Sequence, residues 1–441
     1  MSVEHEFSQR ARAAGGQPIS ELMHLALARP QLISLAAGFV DQETLPVEAT
    51  RRAAEAVLAD PLSARTSLQY GPTPGHPPLR QLLLDRLREA DGRPDNEKSL
   101  SIEQVVLTAG SNQMLHLLAE VLLDPGDIVL CDAPSYFVYL GMLANLGARA
   151  VGVAVDDDGM IPTALEDRLK RLKQSGELGR VKAIYINTDF ENPSALTLSR
   201  ARRGEIVDLA RRWSDNIGGS TRTHRIYVLE DAAYRELRYA GSDIPSLRAF
   251  DPDGETVITT GTFSKSFSPG IRVGWGILPK PLVRPLCELK GNIDFGSPHF
   301  SQMLMTKIFE LGLYEAHVAR LQHNYRTKMN AMLAALDEFM RPIPGVHWRT
   351  PEGGLYVWLQ LPDRIEAGSK GPLLSRAMEH GVLYVPGRFG FPSEGEPPRD
   401  NCIRLSFGVQ SCANIRRGVE LLASAVKECV AAPTRPDKRS G

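Results

Sequence analysis

Between residues 104 and 278 the chain alternates short β-branched runs with longer amphipathic ones, and no other feature restricts its fold as much. Strand-like runs occupy 104–108, 127–131, 150–155, 183–187, 226–230, 256–260 and 273–278. Helical stretches such as 113–123 and 200–213 lie between several of them, with apolar residues recurring at helical spacing. This alternation predicts an α/β domain with a mostly parallel sheet and right-handed crossovers. The runs at 256–260 and 273–278 leave no room for a crossover helix, so part of the sheet is expected to be antiparallel or reordered.

After about residue 313 the texture changes. A long helical pattern over 315–340 is followed by a strand at 354–361, a helix at 372–380, a strand at 402–407 and a final helix. The expected organisation is a large domain over 61–312 and a smaller α+β domain over 313–430. Residues 1–60 are expected to join the small domain and the substrate site, and the tail 431–441 is expected to be disordered.

Composition excludes more than it names. The 441 residues carry 51 Lys plus Arg against 52 Asp plus Glu, a formal charge of −1, so no global cationic field draws in nucleic acid or an anionic membrane. No apolar run approaches the ~20 residues of a membrane span. The five cysteines are scattered without a C-x-x-C pair, which argues against a disulfide framework or zinc site and for a reducing cytosol. The acidic opening residues lack the apolar core of a secretory signal, so a soluble cytoplasmic protein without a structural metal is expected.

The chemistry concentrates in Thr260-Gly-Thr-Phe-Ser-Lys-Ser-Phe-Ser-Pro-Gly-Ile-Arg-Val-Gly-Trp-Gly276. Lys265 sits in a hydroxyl-rich loop after a strand, among small and aromatic residues that can desolvate its amine and make it nucleophilic. Arg272 offers a planar fork suited to phosphate, with neighbouring hydroxyls as further donors. A surface lysine and a salt-bridged arginine are the plainer alternative for such a pair. Upstream, Tyr227-Val-Leu-Glu-Asp-Ala-Ala-Tyr-Arg-Glu-Leu237 ends a strand on a carboxylate, where sheet folds place ligands. Thr108-Ala-Gly-Ser-Asn-Gln113 lies between a strand and a helix, where free N–H groups form a ready anion site; a simple N-cap at Ser111 is the competing account.

The lysine segment closely resembles the signature of fold-type I, class I/II aminotransferases, which bind pyridoxal 5′-phosphate. The resemblance runs in order from about Ile33 to Gly408 and is nearest the 2-aminoadipate and kynurenine aminotransferase branch. It implies a mostly parallel central sheet with helices on both faces, plus a smaller α+β domain. It implies further that Lys265 holds the cofactor as a Schiff base, Asp231 keeps the ring nitrogen protonated, and Tyr234 and Asn192 meet its phenolic oxygen. By the same resemblance Ser111, Asn112, Thr262, Ser264 and Arg272 cradle the phosphate, and Tyr136 of Ala133-Pro-Ser-Tyr136 stacks on the ring. Plain core packing is the alternative for Tyr136. Arg404, in Cys402-Ile-Arg-Leu-Ser-Phe-Gly408, is placed to grip the substrate α-carboxylate, and Gly38 in Leu35-Ala-Ala-Gly-Phe39 to let the chain cross the substrate site. Tyr70 of Gln69-Tyr-Gly71 matches a tyrosine that reaches the neighbouring subunit's phosphate, which implies a homodimer with shared sites. One departure stands out: Pro193-Ser194-Ala195 replaces the usual Pro-Thr-Gly beside Asn192.

The implied activity is transfer of an amino group from an L-amino acid to a 2-oxo acid, with 2-oxoglutarate the expected acceptor and ping-pong kinetics. A β-lyase or an aminocyclopropane-carboxylate-type synthase on the same scaffold is the first rival, since fold does not fix reaction. A cofactor-sensing regulator is the second; it would need a DNA-binding module that the first ~30 residues are too short to supply. No G-x-x-x-x-G-K-[ST], H-E-x-x-H or G-x-S-x-G pattern is present.

Overall fold

A computed structural model of the chain describes residues 7–13, 22, 28–92, 100–214 and 224–431. The strands in chain order begin with β1 (Ile33–Ser34), followed by β2 (Val105–Thr108), β3 (Ile128–Ala133), β4 (Arg149–Asp156) and β5 (Gly159–Met160). β6 (Val181–Asn187), β7 (Tyr227–Asp231), β8 (Val257–Thr262) and β9 (Gly274–Ile277) complete the main sheet, whose order is β2-β9-β8-β7-β6-β3-β4-β5. Pairings among β3, β4, β6, β7 and β8 are parallel. β9 runs antiparallel to both its neighbours, β2 and β8, which is the reordering that the short 260–273 connection demanded.

Burial explains why helices cover both faces. Along β3, Ile128 and Leu130 join one apolar cluster while Val129 and Cys131 join another. Along β6, Ile184 and Ile186 face the first, and Ala183 and Tyr185 the second. The period of two sends alternate side chains to opposite faces, and both faces are apolar, as a parallel sheet requires. Helices Pro162–Gln174 and Arg200–Ser214 cover the first face; Ser111–Leu122 and Lys280–Asp294 cover the second.

The C-terminal sheet contains β10 (His347–Trp348), β11 (Tyr356–Gln360), β13 (Val385–Pro386) and β14 (Cys402–Ser406) in the order β10-β11-β14-β13, while β12 (Val382–Leu383) pairs with β1. Helices Leu313–Phe339 and Cys412–Ala431 pack on it through Met332, Leu336, Val419 and Leu422.

The described part of residues 1–60 divides between the main sheet and the C-terminal one. Ser406 donates its N–H to the Leu35 carbonyl, which ties 33–36 to the C-terminal sheet. Helix Val47–Ala59 instead buries Ala53 with Phe263 and Leu304 beside the main sheet. An amphipathic helix goes where its apolar stripe finds cover, whatever the chain before it does. Ala431 closes the last helix, and the remainder of the tail expected to be disordered lies outside the described residues. No helix among the described residues is long and apolar enough to cross a membrane.

Candidate active site

The parallel strands end together, so residues far apart in the chain converge at one sheet edge. Asp231 closes β7, Thr262 closes β8 with Lys265 three residues on, and the loop through Asn192 follows β6. Arg272 comes into the group because β9 starts at that edge, with Gly274 opposite Thr262. A cavity of about 290 Å³ is lined by Gly38, Ser111, Asn112, Tyr136, Asn192, Asp231, Tyr234, Thr262, Ser264, Lys265, Arg272 and Arg404. Tyr70 alone among the expected site residues stands apart: it is 74% exposed, its ring edge-on to Phe295 at 5.1 Å.

One end of the cavity suits an anion. Helix Ser111–Leu122 begins at Gly110 without a side-chain cap, leaving its first N–H groups for a ligand. The Arg272 guanidinium lies across Gly110, where a Cβ would sit 2.3 Å from Nη2, and it donates to the Ala109 carbonyl at 3.0 Å. Thr262 and Ser264 join their hydroxyls at 3.0 Å beside it.

The opposite polarity stands at Asp231. Burial pushes its carboxyl up to about 6, against the pull of hydrogen bonds from Tyr185 and from the Ala233 N–H. Tyr185 donates to Oδ2 at 2.9 Å and Ala233 to Oδ1 at 3.2 Å. Between these ends, Lys265 Nζ donates to the Gly38 carbonyl at 2.9 Å. Burial lowers the pKa of this amine; Tyr356 opposes that, and the Arg404 and Arg272 charges reinforce it. Burial likewise lifts the Tyr136 phenol, while a hydrogen bond with Asn112 restrains it.

Arg404 is 1% exposed, and its hydrogen-bond partners among the described residues are an amide and a backbone carbonyl, not a carboxylate. Nη1 donates to Asn192 Oδ1 at 2.7 Å and Nη2 to the Ala36 carbonyl at 2.6 Å, but the buried Nε has no partner. Its guanidinium carbon lies 4.3 Å from the Tyr356 ring centre and 5.4 Å from that of Phe137. A buried cation without a counter-ion is costly, so the site is built for an anionic ligand group. A larger cavity, about 790 Å³, lies behind residues 232–239. On its wall Arg86 is matched with Glu236 and Arg235 with Asp243, each at 3.0 Å, whereas Lys265, Asp231 and Arg404 all line the smaller one.

Three residues of the site escape motif reading. Tyr185 and Tyr356 have no neighbouring signature, and Asn187 just precedes the Asn192 string without belonging to it; each reaches the site through strand register. Tyr356 pairs with Ser406 across β11 and β14, hydrogen-bonds Tyr234 at 3.1 Å, and forbids a side chain at Gly38, where a Cβ would lie 2.7 Å from its hydroxyl. Period-two patterning of β11 could have pointed Tyr356 inward, though not at a target. The departure at 193–195 is accommodated by backbone: Ala195 takes φ 59°, the conformation glycine would adopt freely, and the Ser194 hydroxyl bonds Glu191.

Residues 30–422 match the family "Aminotransferase class I and II". Aromatic-amino-acid aminotransferase 1 of Thermococcus litoralis is 34% identical over 428 residues, 97% of this chain and 95% of that protein. 2-Aminoadipate transaminase of Thermus thermophilus is 32% identical over 435 residues, 98% and 99% of the two chains. The solved structure of Pyrococcus horikoshii kynurenine aminotransferase superposes with a TM-score of 0.87 at 33% identity, covering 98% of this chain and 99% of that one.

Proposed function

The chain belongs to the class I and II aminotransferases and is a pyridoxal-phosphate-dependent enzyme acting on amino acids, and from that premise we propose the roles of its residues and its substrates. The site residues fit the cofactor: donors without acceptors at the Ser111 helix start, a fork at Arg272, and a carboxyl at Asp231. When bound, the cofactor supplies a ring that accepts electrons from the substrate α-carbon.

Lys265 is the covalent anchor and the proton carrier. With the cofactor in place, its Nζ would move the proton at the substrate α-carbon, and desolvation lowers the affinity of the amine for that proton. Asp231 would keep the ring nitrogen protonated, while Tyr234 and Asn192 would bond the phenolic oxygen. Asn192 already accepts from Arg404 through Oδ1, which leaves its NH₂ to donate. Tyr136 covers the ring. Ser111, Asn112, Thr262, Ser264 and Arg272 bind phosphate.

The observation that carries the substrate assignment is Arg404, a buried fork with no anion of its own. A substrate α-carboxylate fits it with two parallel hydrogen bonds. Phe137, Tyr356 and the half-exposed Phe39 beside it favour donors with aromatic or extended apolar side chains. 2-Oxoglutarate as acceptor rests on family resemblance. Five free cysteines support a cytoplasmic setting.

A half-reaction tests transamination against elimination or cyclisation. Holoenzyme mixed with L-tyrosine or L-2-aminoadipate alone is expected to convert about one equivalent of bound cofactor to its amine form, with one equivalent of 2-oxo acid released. Catalytic release of ammonia or thiol without that conversion would favour the lyase reading instead.

We assign Tyr70 to a partner's phosphate site in a homodimer. Leu68, Tyr70, Ile293 and Phe295 are 75%, 74%, 53% and 66% exposed, an apolar patch of the kind that marks a contact surface. Asp294, within it, accepts from Gln113 of the phosphate helix at 2.8 Å, so the patch adjoins the site that a second copy would complete. Tyr70→Phe is expected to weaken cofactor binding roughly 10- to 100-fold, the value of one charge-assisted hydrogen bond. A monomer by sedimentation at micromolar concentration would remove this role.

A further inference from the structure

Tyr185 belongs to no motif, yet it is fully buried on β6 and its hydroxyl donates to Asp231 Oδ2 at 2.9 Å. Its ring is fixed against Tyr139, with centroids 4.2 Å apart. The Ala233 N–H occupies the other oxygen, Oδ1. Both oxygens of the carboxyl that faces the cavity are therefore oriented from behind, one by backbone and one by a side chain. A donor to a carboxylate stabilises its ionised form and makes it a weaker base.

From this geometry we infer that Tyr185 is a positioning residue that keeps Asp231 ionised, so that the proton between Asp231 and the cofactor's ring nitrogen stays on nitrogen. The inference rests on the reading of Asp231 as the ring nitrogen's partner. No atom is lost or gained: removing the hydroxyl moves one proton along the N–H···O line toward the carboxyl, and the ring becomes a poorer electron acceptor. A hydrogen bond to a charged group is worth about 1.5–3 kcal/mol, so the proton-sharing ratio is expected to shift toward Asp231 by roughly 10- to 100-fold.

The groups facing Asp231 are Tyr185 from β6, Tyr136 and Tyr139 from the segment after β3, and Lys265 across the cavity. Burial holds the Asp231 carboxyl at about 6 in the folded chain, above the roughly 3.9 of an unfolded one. Its stabilising contribution is thus complete below about pH 4 and is lost as pH rises through 6. Without the Tyr185 hydroxyl, that loss extends to higher pH in the cofactor-free protein.

The test is holoenzyme carrying cofactor labelled with ¹⁵N in the ring, read by NMR. In Tyr185→Phe the ring-nitrogen resonance is expected to move toward its deprotonated position, and thermal unfolding of the cofactor-free variant to keep losing stability above pH 6. Tyr185→3-fluorotyrosine, a stronger donor of the same shape, should leave nitrogen at least as protonated as in the parent protein; it serves also if the phenylalanine variant does not fold. An unmoved resonance in Tyr185→Phe, or a deprotonated nitrogen with fluorotyrosine, overturns the inference. Asp231→Ala separates the two readings. If it moves the resonance and Tyr185→Phe does not, only the role of Tyr185 fails; if Asp231→Ala leaves it in place, the assignment of Asp231 fails first.

Discussion

Lys265→Ala is expected to lower transamination by about 10⁴-fold, the upper range for losing a positioned general base. The amine is the one group in the cavity placed between the anion-binding end and Asp231 with a proton affinity that burial has lowered. Nothing nearby can replace it. Tyr234 is a phenol whose ionisation burial suppresses, and its hydroxyl is engaged with Tyr356 at 3.1 Å. The substitution should leave the fold intact, because it removes a desolvated amine whose only hydrogen-bond acceptor, the Gly38 carbonyl, faces the cavity. Stability of the cofactor-free protein is therefore expected to change by about 1 kcal/mol or less. Small primary amines added at high concentration should restore part of the rate by occupying the vacated space. Stopped-flow measurement of the donor half-reaction reads these effects directly. Full activity in Lys265→Ala would sink the assignment of this residue and the mechanism built on it.

The second large effect is at Arg404. Arg404→Met keeps length and removes the fork, and kcat/KM for amino-acid donors is expected to fall roughly 10²- to 10³-fold, the cost of about 3–4 kcal/mol for breaking a buried charge pair. The substrate-free protein should behave in the opposite way. Its buried cation has no carboxylate partner and an unpaired Nε, so losing it removes an uncompensated charge along with two hydrogen bonds, to Asn192 and Ala36. The net change in stability is expected within about 1 kcal/mol of zero. Steady-state kinetics with a thermal melt on the same preparation give both numbers. Equal damage to melt and kinetics would mean that Arg404 is structural; donor affinity undiminished in Arg404→Met would mean that the carboxylate binds elsewhere.

Much of this site is legible in the sequence because its residues sit where local pattern is strongest. Asp231 and Thr262 close buried strands, Ser111 opens a helix three residues after one, and the turn residues around Lys265 and Asn192 form contiguous, distinctive strings. Tyr185 and Tyr356 were not legible for the converse reason. Each is one aromatic in an ordinary apolar strand, and its meaning arises only from a partner 46 or 122 residues away. The division within residues 1–60, between 36 and 47, was similarly invisible. Helix Val47–Ala59 carries an amphipathic stripe that says it packs, and nothing in it says against which body.

The sequence by itself determined the alternation of strand and helix, the reversal forced at 260–273, and the list of chemically competent side chains at strand ends. Those follow from interactions between residues a few positions apart: hydrophobic period, turn preference and helix-start chemistry. Tertiary structure alone decided which of them share a cavity, that Arg404 is buried without an anion among the described residues, that Tyr185 backs Asp231, and that Tyr70 lies outside the cavity. Burial and pairing are properties of surroundings assembled from distant segments. A guanidinium becomes a receptor for carboxylate only when the fold has removed both water and counter-ion from around it.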